Sequence, residues 1–176
     1  VRFADGLGFL CVAPFVIPGV VLAIGFYSAY APPPLALYGT AWLMILAFTT
    51  RFLPIGYVNA NAAIRSLNPE MEEAVRVLGG SRTLALRKVV APLLKRSLLG
   101  AWLLMFIPAT RELSSAIFLY SPQTKVVAVM IFDMSDEGNF EYLAALALIL
   151  QVLTLPLLWI GQRAIGRDFM LRRTAT

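Results

Sequence analysis

Three ionisable residues stand inside apolar stretches, and they are the first candidates for chemistry. Arg111 and Glu112 interrupt "MFIPATRELSSAIFLY", and Arg51 interrupts "LMILAFTTRFLPIG". A charge at bilayer depth costs at least ~2.5 kcal/mol, so each needs a partner, a polar cavity or a route to the interface. A carboxylate placed there can pair with an arginine or offer oxygen to a hard cation. Adjacent helical residues point about 100° apart, so Arg111 and Glu112 do not easily pair with each other. Arg51 is a candidate partner for Glu112 if the two segments pack at matching depth. It also lies about two turns from the end of its own segment, within reach of the interface by snorkelling. Pro108 and Ser114-Ser115 flank the Arg-Glu pair and predict a broken helix. Irregular backbone occurs at membrane depth only where it faces protein or a water-filled cavity. The pair is therefore either a structural lock between helices or part of a gate or polar path.

A second constellation is "EEAVRVLGGSRTLALRKVVAP", residues 72–92, the most polar long stretch of the chain. Asn68 suits an N-cap and Pro69 the first helical position. Met71, Ala74, Val75 and Leu78 then recur at helical spacing and give one apolar face. Gly79-Gly80 ends this helix, because glycine accepts the left-handed conformation at a C-terminus. Ser81 caps a second helix carrying Arg82, Arg87 and Lys88, and Pro92 marks where the chain turns toward the membrane. A basic amphipathic helix can rest on anionic lipid. The acidic Glu70, Glu72 and Glu73 favour a protein groove instead.

Composition supplies the setting. Apolar residues make up 59% of 176 residues and charged residues 14%, against about 25% charged in a globular domain. With Cys11 alone and no histidine, a disulfide framework, a Cys/His zinc site and histidine-based catalysis are excluded. Four segments reach the ~20 apolar residues that a spanning helix needs: residues 8–30, 35–58, 98–120 and 142–161. The run at 126–132 is too short to span and reads as an external element ending in an acidic turn. Seven basic residues lie between the second and third segments: Arg65, Arg76, Arg82, Arg87, Lys88, Lys95 and Arg96. Arg163, Arg167, Arg172 and Arg173 follow the fourth. The positive-inside rule puts that loop and both chain ends in the cytoplasm, so the net charge of +5 requires no nucleic acid. The chain opens on Val1 without a signal-peptide pattern, and we expect it to be a piece of a longer protein.

The polar stretch resembles the EAA loop of binding-protein-dependent ABC importer permeases, whose motif reads E-A-A-x3-G-x9-I-x-L-P. Glu73, Ala74 and Val75 stand at E-A-A, Gly79 at G, and Val89, Ala91 and Pro92 at I-x-L-P. Val75, Val89 and Ala91 depart in type but keep the spacing. "PFVIPGVVLAIGF", "NPEMEEAVRVLGGS" and "RELSSAIFLYSP" extend the resemblance toward the ferric-iron, thiamine and polyamine branch, with the ferric type nearest.

That resemblance implies an all-α, polytopic transmembrane bundle of the type I ABC importer permease kind, with four spans in this chain. It implies a partial permease domain over residues 1–176 with a cytoplasmic coupling loop at about 59–97, multi-pass in a bacterial inner membrane. Glu73, Ala74, Val75, Gly79, Gly80 and Pro92 would then couple the membrane part to a cytoplasmic ABC ATPase dimer, which binds ATP and Mg. No phosphate loop is present here, so ATP hydrolysis is expected from that partner and no cofactor from this chain. A periplasmic solute-binding protein and a second permease half or copy complete the expected assembly. Arg51, Arg111 and Glu112 become candidates for the translocation path or gate, with Glu112 a possible transient oxygen ligand of ferric iron. Thiamine, polyamine and sulfate are alternative cargoes. A rival of another class is a membrane scaffold whose basic loop binds lipid or a different partner.

Overall fold

The computed structural model describes residues 2–68 and 70–165. Pro69, Arg167, Arg172 and Arg173, all read above, lie outside them. Among the described residues the chain is helical with no strand. The elements are α1 (Arg2–Val12), a 3-10 turn (Ala13–Phe15), α2 (Gly19–Tyr30), α3 (Ala41–Arg65), α4 (Glu70–Val77), α5 (Arg82–Ala85), a π turn (Leu86–Val90), α6 (Ala91–Thr110), α7 (Ala116–Leu119), α8 (Val127–Asp136) and α9 (Phe140–Ile165).

Two helices, Ala41–Arg65 and Phe140–Gly161, are long and apolar enough to cross a membrane alone. The count reaches four if each of two bent pairs is one span. The first bent pair corrects the expectation of one continuous segment at 8–30. Its two halves, Gly6–Phe15 and Gly19–Tyr30, meet at 111°. Proline explains the break: Pro18 has no N–H to donate and pushes Ile17 out of the helical region, and it takes an extended conformation at φ −56°, ψ 140°. The second segment also shifts. Residues 35–40 form a turn with Gly39 at φ +80°, and α3 continues past residue 58 through "NANAAIR", whose alanines favour helix.

The helices gather into two compact units among the described residues. The first, from residues up to 54 and 105–155, holds a core of Ala23, Leu43, Met44, Ala47, Ala116, Leu119 and Val129. Small residues at three of these seven places, Ala23, Ala47 and Ala116, let α2, α3 and α7 approach closely. Ser121 ties the outer turns of this unit together: its Oγ donates to Gly39 O at 3.1 Å and its N–H to Thr124 Oγ1 at 2.9 Å. The ten residues of α8 rise about 15 Å, too little to span, as expected. The second unit, from residues 55–104 and from 156 onward, contains α4, α5 and the π turn. There Gly161 lies so close to Leu103 that a Cβ would fall 2.0 Å from Leu103 Cδ1. Arg163, in the last turn of α9, stacks over the Trp159 ring with 4.9 Å to its centroid.

Only 6% of the α9 span is buried within the chain, so its apolar surface is covered by lipid or by further protein.

Candidate functional sites: a polar junction and a charged loop

The polar junction lies in the first unit, where two helix breaks meet. α6 ends at Thr110, and residues 111–115 separate it from α7, so the break predicted around Pro108 and the serines is present. Glu112 lies in that break with its side chain 13% exposed. Its Oε1 accepts from the Ser115 N–H at 3.1 Å, and the Ser115 Oγ lies 3.4 Å from it. Its Oε2 lies 4.0 Å from Arg51 Nε, the pairing suggested by depth.

Arg51 reaches the junction from α3. Besides facing Glu112, its Nη1 donates to Ile17 O at 2.7 Å. Pro18 ended the helix there, and the arginine satisfies a carbonyl left outside it. Ser115 is fully buried and donates its Oγ to Gly19 O at 3.2 Å. The backbone at Gly19 comes so near that a Cβ would lie 2.8 Å from Ser114 Cβ. Nothing in the sequence showed that Ile17 and Gly19 would join this site. The available signal was the Pro18-Gly19 pair: proline frees backbone acceptors and glycine admits close approach.

Arg111 is handled differently. It is exposed, and its side chain has no ion pair or hydrogen bond among the described residues. The junction therefore carries one balanced pair and one surplus positive charge. Both oxygens of Glu112 are engaged, so in this arrangement the carboxylate anchors the break. No group of three or more His, Cys, Asp or Glu side chains gathers among the described residues.

The charged loop lies in the second unit. Asn68 Oδ1 accepts from the Glu70 N–H at 3.0 Å, which starts α4. The helix closes with a Schellman arrangement: Gly80 N–H donates to Val75 O at 2.8 Å and Gly79 N–H to Arg76 O at 3.0 Å. Gly79 takes φ +81°, where only glycine is at ease. Gly80 is required for a separate reason, since a Cβ would lie 2.5 Å from Val75 Cγ1 and 2.8 Å from Val75 O. Ser81 Oγ then accepts from Leu84 N–H at 3.2 Å and caps α5. Arg82 Nε faces Glu72 Oε1 at 3.4 Å across the two short helices.

One expectation fails in this loop. Pro92 does not mark a turn; it is the second residue of α6, and helix runs through Arg82–Thr110 with a π turn at Leu86–Val90. Proline cannot donate to the carbonyl four residues back, and its ring presses on that carbonyl. The wider π turn immediately before it relieves both problems, with Ala91 N–H reaching back to Leu86 O. Glu73 and Ala74 are exposed and Val75 half-buried. The apolar face of α4 is uncovered as well, with Met71 42% and Leu78 88% exposed.

Residues 2–167 match the family described as "Binding-protein-dependent transport system inner membrane component". The chain is 30% identical over 152 residues to the ferric transport system permease protein FbpB of Actinobacillus pleuropneumoniae, covering 86% of this chain and 22% of that protein. It is 35% identical over 151 residues to a putative ferric transport system permease protein FbpB 1 of Haemophilus influenzae, covering 76% and 24%. A putative 2-aminoethylphosphonate transport system permease protein PhnV of Salmonella choleraesuis is 28% identical over 158 residues, covering 85% and 60%. The chain thus spans only part of the length of these curated relatives. Among solved structures, a chain of a bacterial ABC transporter involved in the import of the acidic polysaccharide alginate superposes with a TM-score of 0.70 at 15% identity, covering 99% of this chain and 68% of that one. This last likeness is one of fold.

Proposed function

The chain belongs to the family of binding-protein-dependent transport system inner membrane components, and on that premise we propose that it forms the membrane pathway of an ABC importer whose cargo is ferric iron. The observation that carries the coupling role is the loop itself. A capped helix, a Gly79-Gly80 reversal and a second capped helix stand where the coupling motif falls, with an uncovered apolar face and the acidic Glu73 beside it. A rigid amphipathic helix of this kind suits a groove on a separate cytoplasmic ATPase dimer, which holds the ATP and Mg. The loop and both chain ends then face the cytoplasm, and a solute-binding protein delivers cargo to the other side. A second permease half or copy completes the pathway.

Iron is favoured as cargo by the 30% and 35% identities to ferric permeases. At the junction, Arg51 and Glu112 hold the helix break in place, and exposed Arg111 lines the path. The test is uptake of radiolabelled ferric iron by cells carrying the full protein with its partner subunits. Arg111→Gln is expected to lower uptake while assembly and thermal stability hold. Unchanged uptake in that variant removes Arg111 from the path.

One observation favours a second cargo. Surplus positive charge at Arg111 suits an anion, and the 2-aminoethylphosphonate relative is 28% identical. Competition of iron uptake by excess 2-aminoethylphosphonate separates the two: inhibition supports the phosphonate reading, and its absence supports iron.

A further inference from the structure

The helical run leaving the loop has a concave face lined by Arg87, Ala91, Pro92, Lys95, Leu98 and Trp102, among others. The spacing of three and four places them on one side of the helix. Cations occupy the end nearer the loop, and apolar side chains occupy the end inside the apolar part of α6. Arg87 and Lys95 stand about 12 Å apart along the axis, both exposed. Neither has an ion pair among the described residues, whereas Arg82 in the same loop is matched by Glu72 at 3.4 Å. Leu98 is 45% and Trp102 47% exposed. The π turn, which contains Arg87, and Pro92 both lie along this face.

We propose that this face binds an anionic phospholipid, with its phosphate held between Arg87 and Lys95 and an acyl chain along Leu98 and Trp102. Charge complementarity selects an anion. The apolar half selects a lipid over a soluble acidic protein, because it lies past a 42° bend, in the Ser97–Thr110 helix, which together with Arg82–Lys95 is long and apolar enough to cross a membrane. Amphipathic cationic side chains and an indole ring are the groups that tolerate the boundary between headgroup and chain. Basic pockets on the cytoplasmic side of membrane helices recognise anionic headgroups in this way.

The test uses the full protein with its partner subunits, in micelles containing equal parts of phosphatidylcholine and phosphatidylglycerol. Native mass spectrometry reads the retained lipid. The unmodified protein is expected to retain phosphatidylglycerol in preference. Neutralising both cations, Arg87→Gln with Lys95→Gln, is expected to weaken that retention by about thirtyfold. Lys88→Gln, outside the hollow, and the charge-conserving pair Arg87→Lys with Lys95→Arg are both expected to keep it. Phosphatidylglycerol with a photoreactive acyl chain is expected to label the peptide containing Leu98 and Trp102. Undiminished retention in the neutralised variant overturns the proposal. So does equal loss in Lys88→Gln, which signals unspecific surface charge, or labelling confined to other peptides. If the neutralised variant does not assemble, the labelling of the unmodified protein decides. None of these readings requires transport, so their outcome stands apart from the identity of the cargo.

Discussion

The junction around Glu112 and the loop around Glu73 both place charge in an apolar chain, and they treat it in opposite ways. At the junction each oxygen of Glu112 has a partner, Arg51 also serves a backbone carbonyl, and the side chains are 13% and 24% exposed. In the loop Glu70 and Glu73 lie open beside the apolar Met71, Val77 and Leu78. The half-buried pair at the junction is matched within one chain, because an unmatched buried charge at membrane depth is costly, while Arg111 stays exposed. The loop spends its internal hydrogen bonds on its own shape, at the Schellman turn and the Ser81 cap, and leaves its outer face for something else to cover.

That contrast is breakable. The largest effect is expected for Gly79→Pro. Proline is locked near φ −65°, and this position needs +81°. The second loop helix loses its direction, and uptake should fall to background while the protein remains inserted, as membrane fractionation would show. Substrate-stimulated ATP hydrolysis near the normal rate in this variant would sink the coupling role. Glu73→Lys should uncouple in the same assay by reversing charge on the exposed side, with no loss of thermal stability.

Next comes Glu112→Gln. The amide keeps an oxygen for the Ser115 N–H but removes the charge facing Arg51. We expect a loss of about 1–3 kcal/mol, from a charge left without its partner. Thermal unfolding in detergent measures it, and Arg51→Gln in the same chain should restore part of the loss. Additive losses in the double variant would mean that the 4.0 Å approach carries no coupling.

A smaller change, about 1 kcal/mol, is expected for Ser81→Ala, which deletes one helix cap. Hydrogen exchange should rise at the Leu84 amide and stay unchanged at Ser115. The smallest effect concerns Lys125, which pairs with Asp133 outside the spans. Its hydrogen bond to Asp133 raises its pKa above the ordinary lysine value. A raised folded pKa adds stability that is fully present below the ordinary value and lost as pH rises through the raised one. A slight fall in melting temperature is thus expected only in strongly alkaline buffer, and Asp133→Asn should abolish it.

Much of the loop was legible because its signals are local. Asn68, Gly79-Gly80 and Ser81 each act through hydrogen bonds to residues within five positions, and each does so in the structure. The pairing of Arg51 with Glu112 was legible for another reason: cost at depth leaves few solutions. The carbonyls of Ile17 and Gly19 were not legible, because which backbone acceptors meet a distant side chain depends on how two breaks pack. The path through Pro92 was misread because proline was taken as an end. A π turn upstream offers a second way to accommodate it, and hydrophobic spacing gives no hint of that choice.

The ion pair at the junction also closes a circuit. Leaving the loop backward, α3 is unbroken from Arg65 to Arg51; leaving it forward, helix continues to Thr110, two residues short of Glu112. Both ways out of the loop therefore end on the same pair of side chains. A displacement applied to such a circuit is taken up at its most compliant links. Three are marked by missing or rerouted hydrogen bonds: Pro54 within α3, Pro108 within α6, and the π turn at Leu86–Val90. Stiffening any one of them, for example by Pro54→Ala, shifts the burden to the others and to the ion pair. The loop and the junction are thus joined through the backbone in both directions along the chain.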